Sequence, residues 1–145
     1  MELNQSIPAF GCQQFRVYSV DEGVAIIRAV AEHRWPMTIN EAFTLRDQFN
    51  WKPAPDDGRY FVTSVSSGNE DGSIGRDITD RSLVSEISFN LSTAFRQDVP
   101  PEIQAAVQSA YVSYVNALTS LYGAGDAESD QTVASTQWIL PSRAA

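Results

Sequence analysis

Apolar residues recur at helical spacing in three stretches of this chain. Val20, Val24, Ile27, Val30 and Ala31 form the first stripe. Ahead of it, Ser19-Val20-Asp21-Glu22 has the capping-box form: the serine hydroxyl accepts the Glu22 amide and the Glu22 carboxylate reaches back to the Ser19 amide. A helix is therefore expected from Ser19 to about His33 and Arg34, ahead of Trp35-Pro36. Thr38-Ile39-Asn40-Glu41 repeats the box, and Ile39, Ala42, Phe43, Leu45 and Phe49 supply the apolar side of a second helix. The short link between the two predicts an antiparallel pair. Pro100-Pro101 opens a third helix, since proline lacks only an amide that the first turn leaves unpaired. Its stripe, Ile103, Val107, Ala110, Tyr114, Leu118 and Leu121, runs for about five turns to a stop at Gly123.

Elsewhere the pattern is that of strands. Arg59 to Val65 is rich in β-branched and aromatic residues. From Leu83 to Leu91 the alternation places Leu83, Ile87, Phe89 and Leu91 inward and Val84, Glu86, Ser88 and Asn90 outward. Val133 to Leu140, closed by Pro141, reads as a final edge strand, and Phe15 to Tyr18 as a short one within a mixed N-terminus interrupted by Pro8 and Gly11. Two segments read as loops: residues 66–82, polar and glycine-rich, where Ile74 and Ile78 are the only anchors for a small extra strand, and the acidic stretch 123–130. The predicted class is α+β in a single domain spanning 1–145: two N-terminal helices, a mainly antiparallel sheet from 59–65, 83–91 and 133–140, and the long helix packed on one face.

Charge narrows the function. Ten basic against 18 acidic residues leave a net charge of −8. The basic residues are scattered singly, so no patch overcomes repulsion from a phosphate backbone, and nucleic acid and anionic membrane are excluded as expected partners. Glu2 stands where a signal peptide carries positive charge, and no apolar run approaches the length of a membrane span, so a cytoplasmic protein is expected. Nine arginines against one lysine fit a GC-rich bacterial coding sequence.

Candidate chemistry is sparse. One cysteine, Cys12, and one histidine, His33, leave no Cys/His zinc set, and their spacing matches no nucleophile–base motif. In a calcium-loop frame, Asn69, Asp71 and Gly72 fall at the third, fifth and sixth positions, but Ser67 and Ile78 take the first and twelfth, where carboxylates are required. No G-x-S-x-G elbow and no phosphate loop occurs. Glu86 faces outward, where a cross-strand ion pair with Arg59 is its expected role. The reading is non-enzymatic, with neither metal nor cofactor.

The run from Trp35-Pro36-Met37-Thr38 through Glu41-Ala42 and Leu45 to Phe49-Asn50-Trp51 resembles small actinobacterial proteins of an uncharacterised domain family. So does Leu118 to Gly123, followed by an acidic loop and Trp138-Ile139-Leu140-Pro141. Proteins of this look are similar to immunity proteins encoded beside polymorphic toxins, so the resemblance implies a protein-binding inhibitor of a cognate toxin. It transfers no contact residue. Those come from charge and exposure: Glu70, Asp71, Asp77 and Asp80 on the central loop first, then Asp126, Glu128 and Asp130, facing a partner with a basic surface. The alternative is a small-molecule-binding domain or enzyme using the groove between helices and sheet, which a carboxyl of raised pKa in a deep pocket would favour. A third reading, a subunit of a larger assembly, predicts an exposed apolar patch.

Overall fold

The computed structural model describes residues 3–8, 14–94, 100–129 and 134–138, with side chains described for 15–94, 100–128 and 135–138. Cys12, Asp130 and the apolar ends of the last predicted strand lie outside the described residues. The chain is α+β. Strands β1 (Leu3–Pro8) and β2 (Gln14–Tyr18) form an antiparallel hairpin, and α1 (Val20–Ala31) and α2 (Ile39–Gln48) follow. A four-stranded antiparallel sheet takes its strands in chain order: β3 (Lys52–Pro53), β4 (Tyr60–Val62), β5 (Gly72–Arg76) and β6 (Val84–Phe89). Helix α3 (Pro101–Tyr122) leads into a second hairpin, β7 (Asp126–Ser129) with β8 (Ala134–Gln137).

Local signals set the helix ends. At α2 the full capping box forms: Thr38 Oγ1 accepts the Glu41 amide at 3.2 Å and Glu41 Oε1 accepts the Thr38 amide at 2.8 Å. These bonds, the Thr38 amide above all, hold the Glu41 carboxyl below its ordinary value. At α1 the box is half made. Ser19 Oγ accepts the Glu22 amide at 3.1 Å, but the Glu22 carboxylate takes the Ser19 hydroxyl instead of the Ser19 amide. Helix α2 closes in a Schellman turn: Asn50, at φ 60, occupies the left-handed position, and the amides of Asn50 and Trp51 bond back to the carbonyls of Asp47 and Arg46, each at 3.1 Å.

That turn delivers Trp51 to the main core. Its ring stacks on Phe61 at 4.6 Å and 2°, tilts against Phe49 and Phe89, and its Nε1–H donates to the Tyr18 hydroxyl at 3.1 Å. Ile26, Met37, Ile39, Ala42, Leu45, Ile74 and Val84 complete this cluster. A smaller cluster of Phe15, Val17 and Ile103, flanked by Ala106 and Ala110, seats α3 on β2. The buried hydroxyl of Thr93 ties β2 to the turn after β4, accepting the Arg16 amide at 2.8 Å and donating to the Val65 carbonyl at 2.7 Å.

Tertiary packing departs from the pattern in four places. Helices α1 and α2 both line the main cluster, yet the helix that α1 packs along is α3, while α2 lies against β3 and β5. Gly23 makes this possible, because a Cβ there would sit 2.0 Å from the Tyr114 hydroxyl. Tyr114 Oη donates to the carbonyls of Tyr18 and Ser19, both at 2.9 Å, and its burial pushes the phenol well above its ordinary pKa. Gly23 meeting Tyr114 and Glu32 meeting Tyr122 make the two helices parallel. Second, Val84 is buried where alternation turned it outward. Gly75 pairs with Glu86 but Arg76 with Val84, so Ser85 is an extra residue and the bulge resets the faces. Third, the small extra strand within 66–82 is β5, an interior strand of the sheet and not a peripheral one, with Ile74 buried as its anchor and Ile78 91% exposed. Fourth, β8 pairs with β7 and does not join the four-stranded sheet. Along α3, Ile103, Tyr114 and Leu118 are buried while Val107 and Leu121 remain exposed, so the core covers only part of the predicted stripe.

Candidate interaction surface

Of the central acids, three are committed to shaping the backbone. Asp71 Oδ1 accepts the Thr63 amide at 2.8 Å and Oδ2 the Thr63 hydroxyl at 2.5 Å, and Thr63 Oγ1 in turn accepts the Val65 amide. Asp71 thereby fixes the turn that buries Val65 at the end of β4. Asp77 Oδ1 accepts the amides of Thr79 and Asp80, at 2.8 and 2.9 Å. Asp80 Oδ1 accepts the Ser82 hydroxyl at 2.6 Å and its amide at 3.0 Å, bonds that lower its pKa. Together these two carboxylates form the β5–β6 connection. Glu70 alone is exposed and without a partner among the described residues.

The four also stand apart. Strand β5 separates Asp71 from Asp77, and six residues of extended chain span roughly 20 Å, more than two Debye lengths at physiological salt. The expected single acidic cluster is thus two sites at opposite ends of a strand. Glu86 differs as well. Its cross-strand neighbour is Gly75, over which its side chain lies, and Arg59 instead pairs with Asp57 at 2.7 Å. The Arg59 side chain, then its amide, holds the Asp57 carboxyl down at about 2.

The distal acids are arranged otherwise. Opposite residues in the β7–β8 hairpin are Asp126 with Gln137, Ala127 with Thr136 and Glu128 with Ser135. Thr136 Oγ1 hydrogen-bonds Tyr111 Oη of α3 at 2.6 Å, so the Thr136 side is turned to the helix, although Ala127 opposite it is exposed. Asp126, Glu128, Ser135 and Gln137 lie on the other side, all exposed. Trp138 Nε1–H donates to the Gly123 carbonyl at 2.7 Å, a second tie, and its ring leaves no room for a Cβ at Gly125. Neither Asp126 nor Glu128 has a hydrogen-bond or ion-pair partner among the described residues. Ser135 and Gln137 were not anticipated as their neighbours, though the alternation through Thr136 carried that signal.

Other polar groups are distributed singly. The Glu32 carboxylate accepts from Arg28, at 2.7 Å, and from the Tyr122 hydroxyl, also at 2.7 Å. His33 Nε2 lies 3.3 Å from Glu41 Oε2 without hydrogen-bond geometry, and its side chain faces that carboxylate, not the carbonyls ending α1. Glu22 Oε2 is buried without a partner. Among the described residues no group of three or more His, Cys, Asp or Glu side chains is placed to hold a metal ion. No described helix is long and apolar enough to cross a membrane.

No curated protein and no solved structure matches this chain. A family profile matches residues 21–145, from the first turn of α1 to the last residue, leaving the β1–β2 hairpin outside the match. By that coverage the chain belongs to DUF6301, a family of unknown function.

Proposed function

We propose that the chain works without catalysis, by occupying the surface of a protein partner that carries a basic patch, and that it serves as an immunity protein for a cognate bacterial toxin in the cytoplasm. The observation that carries this reading is the β7–β8 hairpin. Asp126 and Glu128 stand about 7 Å apart on its solvent side, without a partner among the described residues, on the strand paired with β8, which is tied to α3 through Tyr111 and Trp138. Anchored carboxylates require little ordering on contact, and their field in a chain of net charge −8 steers a cationic surface toward them. Glu70 offers a second, isolated charge.

The test uses the product of the neighbouring open reading frame as partner. Cells expressing that product should stop growing and be rescued by this chain. Asp126→Lys with Glu128→Lys should abolish rescue and slow association with the purified product, chiefly at low salt. Rescue that survives the double reversal would remove the contact from the hairpin. A neighbouring product that neither harms cells nor binds would end the toxin reading.

A further inference from the structure

We infer that the family-matched region, residues 21–145, carries a strand-binding site whose ligand is the segment just ahead of the match: residues 14–18 of the same chain, held in cis. The folding unit therefore begins before the matched region, and β2 is part of it. This inference does not rest on the partner reading above.

The site has a backbone edge with a pocket on either side. Beyond β6 the chain continues through Leu91, Ser92 and Thr93, and β2 meets this stretch antiparallel, Val17 opposite Ser92. The Tyr18 amide donates to the Leu91 carbonyl at 3.0 Å, and the Thr93 amide to the Arg16 carbonyl at 2.9 Å. On one side of β2, Phe15 and Val17 are buried against Ile103, Ala106 and Ala110 of α3. On the other, Tyr18 is buried in the main cluster. In strand addition of this kind the main-chain bonds give affinity and the side-chain pockets give selectivity.

Polar groups of the matched region identify the ligand. Trp51 Nε1–H and the Ser64 amide both donate to Tyr18 Oη, at 3.1 and 3.2 Å. Tyr114 Oη donates to the carbonyls of Tyr18 and Ser19. Among the described residues these three donors have no other acceptor. A phenylalanine at position 18 would fill the same space and offer Trp51 and Ser64 nothing, so the site selects tyrosine. The ligand class is an extended segment with an aromatic residue, a β-branched residue two places on and tyrosine directly after it. An empty site would uncover Ile103, now 1% exposed, and withdraw the partners of all three donors.

The full chain provides the test. With Phe15→Asp and Tyr18→Asp the segment no longer fits, and the cooperative thermal transition should be lost. A synthetic peptide of residues 1–19, added under reducing conditions, should restore it, with a midpoint that rises with the logarithm of peptide concentration. The same peptide carrying Tyr18→Phe should need about tenfold more for an equal midpoint. In the unaltered chain, the Tyr18 and Thr93 amides should exchange hydrogen only through global unfolding, together with those of β4–β6. A double variant melting at the original midpoint would overturn the inference, as would a peptide that restores nothing at millimolar concentration. So would a Tyr18→Phe peptide as effective as the native one, or Tyr18 and Thr93 amides that exchange well before those of β4–β6.

Discussion

Residues 66–82 and 123–129 look alike as sequence: both are polar, acidic and glycine-bearing, and each contains a strand. Their fates differ. In the first, β5 is paired on both edges and Ile74 is buried, and Asp71, Asp77 and Asp80 hold backbone amides and hydroxyls at either end. In the second, β7 pairs with β8 and its carboxylates point to water. A carboxylate beside a turn it can cap becomes part of the fold; one on the outer side of a hairpin stays available to another molecule. Acidity alone does not separate the two.

The sharpest way to break this contrast is Gly72→Ala. A Cβ there would sit 1.9 Å from the ring of Phe61, which is fully buried and stacked on Trp51, so the sheet and the main cluster must shift together. The expected loss is about 3 kcal/mol or more, seen as a global fall in denaturant midpoint. Next comes Asp71→Ala, which removes both bonds to Thr63 and should cost about 2 kcal/mol; a change within experimental error would mean that Asp71 is as free as Glu128. In the distal segment, Tyr111→Phe deletes one bond to Thr136 and should cost about 1 kcal/mol or less. Hydrogen exchange should locate that loss, faster in β7–β8 and unchanged in β4–β6.

Acid sharpens the comparison further. The Ser82 hydroxyl and amide depress the Asp80 carboxyl below its ordinary 3.8, so its support for the loop is complete above that value and lost as pH falls through the lower folded value. Asp80→Asn should flatten the acid limb of the stability curve and leave neutral pH less stable. Asp126→Lys with Glu128→Lys should have the smallest effect on folding, within about 0.5 kcal/mol, measured by the same melts.

Much of the fold was legible. Ser19 and Thr38, Pro101 and Gly123 mark helix ends because capping and proline chemistry act within four residues. The strand at 83–91 was legible from its apolar residues, but its faces were not, since the bulge at Ser85 depends on the partner strand. Strand β5 was legible only as a small extra strand anchored at Ile74, because GSIGR has two glycines and one apolar residue. It pairs with β4 and β6, and Gly72 leaves the space that the Phe61 ring occupies. The candidate acids were legible as charges, and their separation by β5 was not.

The sequence alone determined the α+β class, the positions of three helices and the acidic balance, because periodicity, capping residues and ionisable groups act over a few residues or merely add up. Only the tertiary structure decided that α1 runs beside α3, that the last strand pairs with β7, and which carboxylates remain for a partner. Those outcomes rest on contacts between residues far apart in the chain, Gly23 with Tyr114 and Tyr111 with Thr136 among them, and no local pattern encodes which distant surface will meet another.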